Sequence, residues 1–330
     1  MEGGRRLKPR LDETADPWRT LRAAWDEMQL GEELAVGFDR SGGIRLGRQD
    51  VVGLLRLAGF EPHKGTKTAI TQEVVARKRE RNAQPLTCSV VVPCRNEADN
   101  ILQLVQRLPL LGTQTELIFV DGASTDGTVD RIEDVMRNSP QRDIRLLRQV
   151  HGGGKAAASF QGLAAAHGDV VIILDADMTV PPEELPRFYL ALAEDVGDVA
   201  NGTRSLYPME KGAMPTANRA GNRFFSAYMS WLVGTRLTDT LCGSKAFRRR
   251  DIPAILGVRP RFGGHDRWGD FDMLMAAAYL GLRIVDVPVS YASRVAGESK
   301  MRPWRDGLEL ARSCLVGTRI LKLGGASGRP

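Results

Sequence analysis

Two aspartates at alternate positions, Asp175 and Asp177, directly follow the run Val170 to Leu174, which is apolar and rich in β-branched residues. Such a run, bounded by Gly168 and by Pro181-Pro182, predicts a strand buried on both faces of a sheet. In open α/β sheets ligands bind just beyond the carboxyl ends of the strands, where these acids stand. Like charges this close disfavour one another. A divalent cation removes the conflict, and Mg²⁺ takes one or two carboxylates together with substrate phosphates. The other reading is ordinary: the acids face water, or cap a helix beginning near Pro182 with Glu183 and Glu184 in its first turn.

The elements that position these acids follow from hydrophobic periodicity. From Cys88 onward strand and helix patterns alternate: Ser89 to Val92, a helix with Asp99 as its cap, Leu117 to Val120, a helix over Thr128 to Met136, and Ile144 to Gln149. His151-Gly-Gly-Gly-Lys155 then opens an alanine-rich helix that leads to the Val170 strand. This order predicts a doubly wound parallel sheet with all strand ends on one rim. That rim carries Asn96 and Glu97, Asp121, and Lys155, groups suited to a base, a ribose and phosphates. Singly, each is equally explained by turn and capping chemistry. Four strand ends converging on one edge favour a nucleotide site.

Composition bounds the rest. The 330 residues, 42% hydrophobic, suffice for one large domain or a domain with an appendage. A formal net charge of +6 is too diffuse to indicate nucleic acid. Cys88, Cys94, Cys242 and Cys314 are scattered and give neither a zinc motif nor a disulfide framework, so a cytoplasmic protein is expected. No apolar run reaches the length of a membrane span. Residues 1–86 differ from the remainder: helices are predicted over Pro17 to Gly31 and Asp50 to Leu57, a strand over Ala69 to Ala76, and a basic linker over Arg77 to Arg81. The phrase Leu54 to Glu61 faintly resembles the tail of a class I methyltransferase, without a glycine-rich cofactor loop, which suggests a remnant or docking appendage.

Taken together, Ser89-Val-Val-Val-Pro-Cys-Arg-Asn-Glu97, Phe119-Val-Asp-Gly-Ala-Ser-Thr-Asp-Gly127, Gly154-Lys155 and Leu174-Asp-Ala-Asp177 resemble family 2 glycosyltransferases of the GT-A fold. Within that family the chain is most similar to the dolichyl- and polyprenyl-phosphate sugar synthases, over roughly residues 87 to 310. The resemblance implies an α/β GT-A domain with a mostly parallel sheet over 87–302; beside it the residue patterns predict a small N-terminal α/β appendage over 1–86 and a C-terminal amphipathic helix and tail over 303–330. It implies that Pro93, Arg95, Glu97, Phe119 and Asp121 line the base and ribose, with Lys155 near the phosphates. Asp175, Ala176 and Asp177 would hold the nucleotide-sugar and its Mg²⁺ or Mn²⁺. Two departures stand out: Gly122 replaces a frequent second acid, and Thr179 replaces a frequent glutamine and offers a hydroxyl to the metal instead.

The second half carries the acceptor side of the resemblance. Arg204 ends a strand over Val199 to Arg204 and matches a donor-contacting arginine. Asp239-Thr-Leu-Cys-Gly-Ser-Lys245 matches a segment beside the sugar, Gly269-Asp-Phe-Asp272 matches the acidic segment before a helix, and Arg294-Val-Ala-Gly-Glu-Ser-Lys300 matches a closing loop whose Arg294 and Lys300 would meet phosphates. A phosphate acceptor is already anionic; an alcohol would need a base, for which Asp239 and Asp270 are the candidates. The helix over Pro215 to Gly234 and the final one over Pro303 to Leu323 combine aromatic, aliphatic and basic residues. They suit either a membrane surface or packing on the catalytic domain. The expected reaction is inverting transfer of a hexose from a GDP- or UDP-sugar to a polyprenyl phosphate, on the cytoplasmic face of a membrane. A small-molecule acceptor is the alternative, a nucleotidyltransferase a more distant one; a homodimer is possible, and nucleic acid is not expected.

Overall fold

The computed structural model describes residues 9–38, 44, 46–67, 72–80, 85–149, 153–207, 216–264, 266–292 and 303–324. Its centre is a seven-stranded sheet. The strands are β4 (Cys88–Cys94), β5 (Thr115–Asp121), β6 (Asp143–Arg148), β7 (Val170–Ile173), β8 (Val199–Thr203), β9 (Lys245–Arg248) and β10 (Ile284–Pro288). The labels β1 to β3 belong to a smaller N-terminal sheet. The order across the large sheet is β10-β8-β9-β7-β4-β5-β6. All neighbours are parallel except β9, which runs antiparallel between β7 and β8. The parallel sheet read from the strand–helix alternation is therefore mostly, not wholly, parallel. The short insert Lys-Ala-Phe-Arg carried no alternation that separated it from the loop before it.

Side-chain alternation along the strands divides the core in two. Val90, Val92, Leu117, Phe119, Val170 and Ile172 face one side of the sheet, and Val91, Ile118, Val120, Val171 and Ile173 face the other. All four residues of β7 are buried, as expected for a central strand covered by helices on both faces. At about 1.5–3 kcal/mol per fully buried large aliphatic, the strand is pinned in register. A one-residue slip would carry both acids to the wrong face. The face of Val91 and Val120 is covered by α5 (Gly154–Ala165), α7 (Thr216–Val233), α9 (Asp270–Tyr279) and α10 (Pro303–Thr318). A Cβ on Gly162 would collide with Val91, so α5 lies directly on the sheet. The opposite face carries α3 (Ala98–Arg107), α4 (Thr128–Asn138) and α6 (Leu185–Ala193). The helix α8 (Ile252–Val258) follows β9. The expected cap of α3, Asp99, lies inside its first turn; Glu97 is the N-cap, and Asp126 accepts from the Ala98 N–H at 3.2 Å.

The N-terminal unit contains α1 (Pro17–Glu27), β1 (Glu33–Phe38), α2 (Arg48–Ala58), β2 (Phe60–Lys67) and β3 (Gln72–Lys78), with an antiparallel sheet ordered β1-β3-β2. Gly59 closes α2 in the left-handed conformation (φ 96°), the turn that glycine makes without strain. The basic run expected as a linker is partly strand, since Arg77 and Lys78 pair with Glu33 and with Glu61 and Phe60. Residues 69–71 of the expected strand lie outside the described residues. The unit is continuous with the main core. One joint is Arg187 of α6, 2% exposed, which donates to Asp16 (2.5 Å) and to the Pro288 carbonyl (2.9 Å) and lies over the rings of Trp18 and Tyr207. Among the described residues no helix is long and apolar enough to cross a membrane.

Candidate active site

The strand ends build the site from the outside inward. At the tips of β5 and β6 a cavity of about 490 Å³ is lined by Asp121, Ser124, Thr125, Arg148 and Gln149, among others. That is a size suited to a small organic ligand. The β4 and β5 loops are stitched together around it. Asn96 Oδ1 accepts from the Thr125 N–H (2.9 Å), Ser124 Oγ accepts from the Asn96 N–H (2.9 Å), and Asp121 accepts from the Ser124 N–H. Among the described residues, three of the four non-glycine residues with positive φ, Asn96, Ala123 and Met178, stand at these strand ends. Backbone strain of this kind concentrates at functional sites. Gly122 leaves ordinary contact space beside the Cys94 carbonyl, Arg95 and Gln149 Oε1.

Pro93 is half-buried, Arg95 exposed and Glu97 half-buried at the end of β4, where Glu97 accepts from Asn100 (2.8 Å). Phe119 is elsewhere. It is wholly buried among the core residues of the sheet, two residues short of the strand end, and does not reach the cavity. That corrects the expectation that it lines the base: adjacency to Asp121 in the motif is not adjacency to the ligand edge.

Deeper in, Asp175 and Asp177 occupy the turn after β7, both half-buried, with Ala176 buried between them. Thr179 donates its N–H and hydroxyl to Asp177 Oδ1 (3.2 and 3.0 Å), so its oxygen orients that carboxylate. Lys155, in the first turn of α5, reaches across to Asp175 Oδ1 at 2.6 Å. Burial disfavours the charged ammonium, but Asp175, Asp270 and Asp177 outweigh it and raise the lysine pKa. Asp270 begins α9, is 3% exposed, and accepts from Lys245 Nζ at 2.8 Å. Lys245, fully buried on β9, also donates to the Cys242 carbonyl (2.5 Å). It was not singled out from the sequence; the signal was a lysine directly before the buried Ala246-Phe247 pair.

Asp239 has a different setting. It is fully buried, and Arg204 Nε and Nη2 donate to Oδ2 and Oδ1 at 2.6 and 2.9 Å. Burial opposes its ionisation, yet the guanidinium prevails and holds its pKa below the usual carboxylate value. Both oxygens are committed and the group is poorly basic, which does not fit a proton acceptor. It positions Arg204, whose guanidinium also lies over the Tyr291 ring at 5.0 Å. Arg294 and Lys300 lie outside the described residues. Two hard carboxylates at one strand end, one of them oriented by a hydroxyl, form a donor set that fits Mg²⁺ or Mn²⁺. Among the described residues no group of three or more acid, histidine or cysteine side chains gathers as a ready-made metal cage.

Comparison with known proteins shows the family. The profile of "Glycosyl transferase family 2" matches residues 89–254, half of the chain. The chain belongs to that family. The undecaprenyl-phosphate 4-deoxy-4-formamido-L-arabinose transferase of Proteus mirabilis is 32% identical over 216 residues, 64% of this chain and 62% of that one. The match thus spans less than two thirds of that relative's length. The dolichyl-phosphate hexose transferase of Haloferax volcanii is 34% identical over 207 residues, 61% of this chain and 79% of that protein. Among solved structures, glucosyl-3-phosphoglycerate synthase from Mycobacterium tuberculosis, in complex with Mn²⁺, UDP and glucosyl-3-phosphoglycerate, aligns with a TM-score of 0.47. It is 20% identical over 74% of this chain and 82% of that one.

Proposed function

We propose that this protein transfers a hexose from a GDP- or UDP-sugar to a polyprenyl-phosphate-type acceptor with inversion at the anomeric carbon. The observation that carries the reading is the placement of Asp175 and Asp177 at the end of β7, on the same sheet edge as the cavity at the ends of β5 and β6. The similarity to an undecaprenyl-phosphate transferase of Proteus mirabilis and a dolichyl-phosphate transferase of Haloferax volcanii supports the acceptor class.

In this reading the cavity takes the nucleoside, with Asp121 at the ribose or base and Pro93, Arg95 and Glu97 along its rim. Asp175 and Asp177 would hold Mg²⁺ or Mn²⁺, whose chemistry is to neutralise charge on the departing diphosphate. Arg204, braced by Asp239, offers a fixed cation to the same charge. Arg294 and Lys300 would add cations for the acceptor. An acceptor phosphate attacks without deprotonation. For a hydroxyl acceptor Asp270 is the better placed base, since Asp239 is spent on Arg204.

Approach of a lipid is supported by the paired helices α7 and α10. Phe224 (63% exposed), Trp231 (53%) and Leu315 (68%) stand out of the surface. Arg223, Arg312, Arg319 and Lys322 are exposed alongside, and Lys322 lies over Trp231. Basic and aromatic side chains on one face suit an anionic membrane surface and a peripheral, cytoplasmic-face enzyme. The test is to incubate purified protein with Mn²⁺, a panel of nucleotide-sugars and polyprenyl phosphate in liposomes. The reading predicts lipid-dependent release of one nucleoside diphosphate. Turnover only with a water-soluble acceptor would overturn the lipid assignment.

A further inference from the structure

The edge beyond β7 gathers three carboxylates, Asp175, Asp177 and Asp270, against two ammonium groups, Lys155 and Lys245, and the two lysines are not equivalent. Lys245 is fully buried and bound to both Asp270 and the Cys242 carbonyl. It is a fixed part of the frame. The Lys155 side chain keeps 21% of its surface exposed, and its ammonium rests on Asp175 Oδ1 at 2.6 Å, where all three acids act on it. The cover over this pair is close. A Cβ on Gly243 would run into both the Lys155 ammonium and the Asp175 carboxylate, so bare backbone closes the space on that side. On another side the Trp268 ring lies 5.9 Å from the ammonium, a face on which a displaced lysine can settle.

We propose that Lys155 is a built-in counter-cation for the β7 carboxylates, which a divalent metal must displace, so that the donor-free protein discriminates against free metal. The inference rests on the reading that Asp175 and Asp177 are the metal-holding pair. A metal on Asp175 with the ammonium left in place would put a single and a double positive charge a few ångströms apart. Even at the screened dielectric of a protein surface, that repulsion weakens binding by tenfold or more. An incoming diphosphate changes the balance, because its negative charge gives the released ammonium a new partner. Metal and nucleotide are then taken up together, and Lys155 passes from carboxylate to phosphate.

The test is titration of Mn²⁺ alone into the wild type, Lys155→Met, Lys155→Arg and Lys155→Met/Asp175→Asn by calorimetry. Lys155→Met should bind Mn²⁺ at least tenfold more tightly than wild type, and Lys155→Arg, which keeps the charge, should not. Equal or weaker affinity in Lys155→Met overturns the proposal. If the gained affinity survives Asp175→Asn, the metal sits elsewhere, and it is the site reading that fails. A measurement on the unaltered protein covers a variant that does not fold. Acetylation of Lys155, followed by mass spectrometry, should rise when Mn²⁺ saturates the protein; unchanged or reduced labelling overturns the proposal.

Discussion

Replacing Asp272 by Asn tests the electrostatics of the helix that presents Asp270. Asp272 is fully buried, and neither carboxylate oxygen has a hydrogen-bond partner. Burial, then the charge of Asp266, push its pKa from 3.8 up to about 7, against a smaller opposing pull from Arg259. The folded protein therefore keeps a proton that the unfolded chain releases at lower pH. Where the folded state binds more protons, stability falls as pH rises. The loss begins near the unfolded value and is complete above about pH 7. With one pKa unit worth about 1.4 kcal/mol, the wild type should lose roughly 2–3 kcal/mol through this group between pH 5 and pH 8. Asp272→Asn cannot lose it. The asparagine carries its own cost of burying an unbonded amide, but that cost is the same at both pH values. Urea unfolding of both proteins at pH 5 and pH 8 isolates the difference. Parallel pH dependences in the two proteins would refute the reasoning.

Three further outcomes follow from the same geometry. Asp239→Ala strands the buried Arg204 guanidinium and should cost about 3–5 kcal/mol of stability, read from urea midpoints; a loss below 1 kcal/mol would show that the pair is not buried in solution. Lys245→Met leaves the buried Asp270 carboxylate without its ammonium and should cost about 3–5 kcal/mol of stability, read from urea midpoints, whereas a loss below about 1 kcal/mol would remove Lys245 from the fixed frame of the site. Phe224→Ser with Trp231→Ser should weaken sedimentation with anionic liposomes about tenfold at unchanged melting temperature, and equal binding would remove α7 from the membrane face.

The strand ends were legible because a buried parallel strand leaves a strong pattern, a β-branched run that stops abruptly at polar residues. Val170 to Leu174 followed by Asp175 and Asp177 is such a case, and β4 and β5 are others. Phe119 misled because a motif read along the chain does not say how far each residue lies from the sheet edge. Lys245 was hidden for a different reason. Its role comes from β9 inserting antiparallel between β7 and β8, a long-range pairing that four residues cannot announce. In the N-terminal unit β1 and β2 went unrecognised. The Glu33–Phe38 strand is apolar without alternation, while Phe60–Lys67 carries a proline, a histidine and a glycine. Asp239 looked like a free acid in the sequence; only the fold shows that Arg204, 35 residues earlier, takes both of its oxygens.

The central claim is that the acids after β7 hold a cation that in turn holds a diphosphate. Calorimetric titration of GDP and UDP into the protein with and without Mn²⁺, for the wild type and for Asp177→Asn, tests it most directly. The account predicts that one nucleotide binds with strong Mn²⁺ dependence and that Asp177→Asn abolishes that dependence. Binding of either nucleotide that is equally Mn²⁺-dependent in both proteins would contradict it.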